Sequence, residues 1–130
     1  MARGGLDWEG IGARYVTYKA NAALVSTVAA SGVAAVEGKA VTITGNGEVG
    51  FGSAGQPLLG KVDKYESDGY VTVQDAGYAE LPGVSGSLPT AGNYVVVNGQ
   101  GAVVASAGAT GPARAVSVDA TNLKVMVLIA

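Results

Sequence analysis

Between Gly60 and Leu81 the chain reads GKVDKYESDGYVTVQDAGYAEL, two short runs separated by Ser67-Asp68-Gly69. In the second run Tyr70, Thr72 and Gln74 alternate with Val71, Val73 and Asp75, setting a mostly apolar face against a polar one. Period two is the pattern of a half-buried strand. Asp68-Gly69 supplies the turn, because glycine reaches positive φ without a Cβ clash and aspartate tolerates it. The stretch predicts a β-hairpin, and the rest of the chain has to be arranged around it.

The same rhythm recurs on both sides. Lys39 to Thr44 alternates Ala40, Thr42 and Thr44 against Val41 and Ile43, Gly45-Asn46-Gly47 turns it, and Glu48 to Phe51 begins a return. Pro57 starts a further strand through Leu58, Leu59 and Val62 into the central hairpin. Tyr94–Val97 and Ala102–Ala105 flank Asn98-Gly99-Gln100-Gly101 as a second hairpin. Arg114 to Asp119 alternates, Ala120-Thr121-Asn122 turns, and Leu123 to Ile129 returns apolar at every position but Lys124. A strand apolar on both faces belongs at the centre of a sheet or between subunits. Glycine at 21 of 130 residues, with Ala and Val dominating the apolar content, fits many short strands, tight turns and a core of small side chains. The chain is long enough for one domain. It reads as all-β.

Two segments depart from that rhythm. Residues 1–19 hold Arg3, Asp7, Glu9, Arg14 and Lys19 with Trp8, Tyr15 and Tyr18, and have no sustained period. They read as an arm, either a frayed end or a segment that docks elsewhere through its aromatics. Deleting them is expected to leave the β-domain folded. Residues 20–36, ANAALVSTVAASGVAAV, mix helix-favouring Ala with strand-favouring Val25, Thr27, Val28, Val33 and Val36, and Gly32 interrupts both. They read as extended. The division predicted is an extended N-terminal arm over 1–35 and a β-domain over 36–130. The uncharged run from Ala20 to Val36 is shorter than the ~20 residues of a membrane span, and the start lacks a signal peptide's apolar core. A soluble chain is expected.

The chemistry of the residues points away from catalysis. The chain has no His and no Cys, which removes the usual bases and thiol nucleophiles. A net charge of −2 with scattered basic residues carries no nucleic-acid footprint. Two overlapping G-x-G-x-x-G matches occur, at 45–50 and 50–55, but Gln56-Pro57 and a strand follow them. A dinucleotide site needs that motif to open a helix, so these are turns. Asp63, Glu66 and Asp68 lack the spacing and closing Glu of a Ca²⁺ loop. Two of the ten acids could converge as a glycosidase pair, but one Trp offers no sugar-stacking platform. No catalytic residue, cofactor or metal is expected. From Leu81 to Ala113 no residue carries a formal charge. Such a run suits core strands with Ser/Gly loops, or a contact with another subunit.

The order Glu37-Gly38-Lys39-Ala40-Val41-Thr42, Gly55-Gln56-Pro57-Leu58-Leu59-Gly60-Lys61-Val62, Gly69-Tyr70-Val71-Thr72-Val73-Gln74 and Gly77-Tyr78-Ala79-Glu80-Leu81 resembles the small head-decoration (cement) proteins of tailed bacteriophages. The ending Gly111-Pro112-Ala113-Arg114-Ala115-Val116-Ser117-Val118-Asp119, followed by Val125-Met126-Val127-Leu128, is similar to their C-terminal hairpin. The likeness covers roughly residues 36–130. It implies a compact β-barrel or β-tulip fold, no enzymatic activity, and oligomers bound outside an assembled shell. The expected partners are the major capsid protein and further copies of the chain, a trimer rather than a dimer, with neither nucleic acid nor membrane. The expected location is the outer capsid surface of a virion made in a bacterial cytoplasm. Candidate interface residues are Trp8, Arg14, Tyr15 and Tyr18 in the arm and Leu81, Pro82, Val84 and Leu88 in the uncharged run. The competing reading is a carbohydrate- or surface-binding β-module, such as a fibre or adhesin fragment.

Overall fold

A computed structural model describes residues 9–66, 68–108 and 111–129. Among the described residues nine strands and one α-helix follow in the order β1 (Arg14–Ala20), α1 (Ala22–Ser31), β2 (Ala40–Gly45), β3 (Glu48–Gly50), β4 (Gly60–Tyr65), β5 (Tyr70–Pro82), β6 (Val95–Val97), β7 (Val103–Ala105), β8 (Ala113–Asp119) and β9 (Lys124–Ile129). A short 3-10 turn, Val33–Ala35, links α1 to β2. The all-β expectation holds, and the strands close into a small barrel.

The central hairpin forms as read. β4 and β5 pair antiparallel, with Val62 opposite Val73 and Tyr65 opposite Val71. Gly69 at the turn has φ +87, and its N–H donates to the Glu66 carbonyl at 3.2 Å. Around this pair the order is β1-β3-β2-β4-β5, and β1 also pairs with β5, so five strands close on themselves. Closure leaves no free edge on that side of β5. The barrel interior is Val41, Val49, Val62, Val71 and Val73, all without exposed surface, with Leu24 of α1 packed into the same cluster.

β5 is long enough to serve a second layer. Beyond Gly77 it pairs with β9, from Gly77 opposite Ile129 to Pro82 opposite Lys124, and β9 pairs with β8. The hairpin of β6 and β7 lies over this sheet, and Leu81, Val95, Val97, Val103, Val125 and Val127 form a second buried cluster. β9 is thus the central strand its two-faced apolar pattern predicted. Of the uncharged run, Leu81, Val95, Val97, Val103 and Ala113 lie in this core, whereas residues 85–87 and 90–93 are exposed. Gly77, with φ +89, marks where β5 passes between layers, and a Cβ there would lie 2.5 Å from the Gly12 carbonyl carbon. Gln74, expected on the polar face, is buried; its Nε2 donates to the carbonyls of Ala76 at 3.1 Å and Tyr78 at 2.9 Å at the same passage.

Two expectations for residues 1–35 need correction. Residues 14–20 are a barrel strand rather than part of a separate arm: Tyr15 to Lys19 run opposite Gln74 to Tyr70, and Lys19 and Ala20 lie parallel to Glu48 and Val49. Pairing on two sides supplies the backbone partners that its own apolar pattern does not advertise. Residues 22–31 are helical, not extended. Asn21 caps the helix, its Oδ1 accepting from the Leu24 N–H at 2.8 Å, and Gly32 at φ +86 ends it with its N–H on the Val28 carbonyl. Good caps and Ala-rich interior positions outweigh the β-branched residues, of which Val25 is exposed while Thr27 and Val28 are half-buried, Val28 against the barrel core. Residues 1–8, with Trp8, lie outside the described residues.

Candidate functional site

Asp75 of β5 falls where the β1–β5 register skips a residue, between Gln74 opposite Tyr15 and Ala76 opposite Arg14, and its carboxylate lines a depression beside the barrel. Its side chain is only 5% exposed. A buried charge needs a partner, and β1 supplies two. Arg14 Nε donates to Asp75 Oδ1 at 2.8 Å, and the Tyr18 hydroxyl donates to Asp75 Oδ2 at 3.2 Å. The pair raises the Arg14 pKa, first through the hydrogen bond and then through the charge of Asp75. The Tyr18 pKa is also raised, by burial above all and then by the same negative charge.

Arg14 itself stays 69% exposed at the rim of a depression of about 440 Å³. Thr42, Ile43, Gln56, Pro57 and Asp75 line it with Arg14. Thr42 is 4% exposed, and its hydroxyl makes no hydrogen bond to another described residue. Ile43 is 47% exposed despite its place in mid-strand. Ile43 and Gln56 also border a second depression of about 410 Å³ that extends to Asn21, Phe51 and Ser53. On the other side Pro112 is shared with a smaller hollow beneath Arg114 and Tyr94. There Arg114 lies 4.7 Å over the Tyr94 ring and donates from Nη2 to the Tyr94 hydroxyl at 2.6 Å. Three adjoining depressions, here called the trough, thus share lining residues and carry two exposed arginines and one acid, on a chain of net charge −2.

Fixed donors beside an exposed apolar surface are the chemistry of recognition. Among the described residues no three acids gather closely enough to hold a metal ion, and no helix is long and apolar enough to cross a membrane.

The eight residues singled out from the sequence fall into separate places. Arg14 and Tyr18 meet at Asp75, whereas Tyr15 is exposed and lies opposite Gln74 on β1's other face. Leu81 has no exposed surface and belongs to the second core rather than to an outer contact; Leu88 packs partly buried against it. Pro82 and Val84 are half-buried near that core. Trp8 lies outside the described residues. Sequence reasoning missed Thr42, Ile43, Gln56 and Asp75. For Asp75 the signal was present, a carboxylate in phase with Val71 and Val73.

Comparison with protein-family models and with curated proteins finds no match to this chain.

Proposed function

We propose that this protein is a non-enzymatic capsid decoration protein, which binds the outside of an assembled phage head and stabilises it by bridging neighbouring major capsid subunits. The observation that carries the reading is where the resembling segments lie. Glu37–Thr42 leads into β2, Gly55–Val62 into β4, Gly69–Gln74 and Gly77–Leu81 both fall on β5, and Gly111–Asp119 with Val125–Leu128 occupies β8 and β9. The resembling segments thus reach β2, β4, β5, β8 and β9 in chain order, together with the loop residues 37–39 and 55–59 that lead into β2 and β4. The trough at Arg14 and exposed Tyr15, Ile43 and Tyr70 offer surface for contact. A homotrimer is the assembly proposed, because a decoration protein on local threefold junctions has to match their symmetry.

The mechanism is mass action. A protein that binds only the assembled shell draws the assembly equilibrium towards it. Co-purification with capsids, set beside retention on a glycan panel, tests this reading. Capsid association without glycan retention is expected; glycan retention without capsid association replaces it with the carbohydrate-binding module.

A further inference from the structure

We infer that the trough at Arg14 receives an extended segment of a partner protein that carries a carboxylate beside apolar residues, paired with the open edge of β2. The inference does not depend on whether the partner forms a shell.

The first ground is backbone. β2 is flanked by β3 on one side and by β4 on the other, but β4 covers only Ala40 and Val41. Val41 points to the β4 side, since its carbonyl accepts from the Leu59 N–H at 2.9 Å. Alternate residues of a strand direct their backbone groups to the same side, so Ile43 faces that way too. There the neighbouring chain has turned off, with Pro57 bridging to Val96 instead. The Ile43 N–H and C=O thus open into the depression. An open edge of this kind pairs with an incoming extended chain, which gains backbone hydrogen bonds from the edge and selectivity from adjacent side-chain pockets.

The second ground is side-chain chemistry at the same spot. Arg14 uses Nε on Asp75, and its two terminal nitrogens make no hydrogen bond to another described residue. The guanidinium is held by a carboxylate that Tyr18 holds in turn, so its remaining fork is oriented before a ligand arrives. Two parallel donors match a carboxylate. Arg114 adds positive charge along the same trough, where Asp75 is the one acid among the lining residues. Ile43 and Pro57 supply apolar contact. Charge complementarity selects an acidic segment, and the exposed apolar positions select one with aliphatic neighbours.

The test uses the full ¹⁵N-labelled chain and the peptide Ac-Ala-Val-Asp-Val-Thr-Ala-NH2, titrated to about 5 mM, where weak binding is still measurable by chemical shift. Saturable shifts of the Ile43 amide and the Arg14 Nε–H are expected. The Asn-containing peptide and Arg14→Gln should each weaken binding about tenfold, as loss of one charge-assisted contact implies. Ile43→Pro removes the edge N–H and should abolish the effect; if that variant does not fold, Arg14→Gln carries the test. Absence of shifts at both positions overturns the inference, as do equal shifts with the Asn peptide. Full reproduction by acetate alone reduces the site to an anion contact and also overturns it. Ile43 shifts that grow with protein concentration alone mean that a second copy occupies the edge, which overturns the partner named here.

Discussion

Arg14 Nε donates to Asp75 Oδ1 across 2.8 Å, and 61 positions of sequence, joining the strand that closes the barrel to the strand shared by both layers. The guanidinium that anchors β1 also forms the rim of the trough, so stability and the proposed recognition share one contact.

Asp75→Ala should destabilise the protein by at most about 1.5–3 kcal/mol, the range for hydrogen bonds to a charged group, reduced by the solvent screening of exposed Arg14. Two donors lose their acceptor at once, though exposed Arg14 regains water. Urea unfolding of the variant beside its parent measures it. An unchanged midpoint means that the carboxylate contributes nothing net.

Deletion of residues 1–19 should abolish cooperative unfolding of the barrel. The truncation removes all of β1 except Ala20, exposing the β5 edge from Tyr70 to Ala76 and leaving Asp75 buried without Arg14 or Tyr18. Loss of a sigmoidal melt is the expected outcome. A truncated protein that melts like the parent returns this segment to the status of an accessory arm.

Most strands were legible because each is a short alternating run punctuated by glycine, as in Lys39–Gly47 and Gly69–Asp75. β1 was not. Its residues 14–17 are all exposed, so burial imposes no apolar period on them, and its place is set by pairing with strands far along the chain. The helix was hidden for a related reason: only Leu24 is buried in it, and its boundaries rest on Asn21 and Gly32. The trough is a product of closure. Arg14, Ile43, Gln56 and Pro112 become neighbours only once the barrel has formed, and no local pattern records that.

Gly69→Val should cost more than about 1 kcal/mol, since a β-branched residue is strained at positive φ. Among the described residues nothing lies within 4 Å of the position a Cβ would take, so the expected cost is backbone strain. Thermal melts of variant and parent decide the matter, and equal melting temperatures contradict it.

The Tyr18 hydroxyl gives a pH signature. Burial, followed by the charge of Asp75, raises its pKa above the usual 10.0. A proton held more tightly in the folded state stabilises the fold below the unfolded pKa, and that contribution is lost as pH rises through the folded value. Stability should therefore fall from about pH 10 upwards, and the fall should be shallower in Tyr18→Phe. Urea midpoints from about pH 8 to about pH 11 for both proteins reveal it. Parallel curves mean that Tyr18 is not the group responsible.

The decoration role is tested most directly by sedimenting the purified protein with intact phage heads lacking their own decoration protein, and separately with unassembled capsid subunits. Saturable co-sedimentation with heads and none with free subunits is the predicted result. Equal binding to both, or binding to neither, contradicts it.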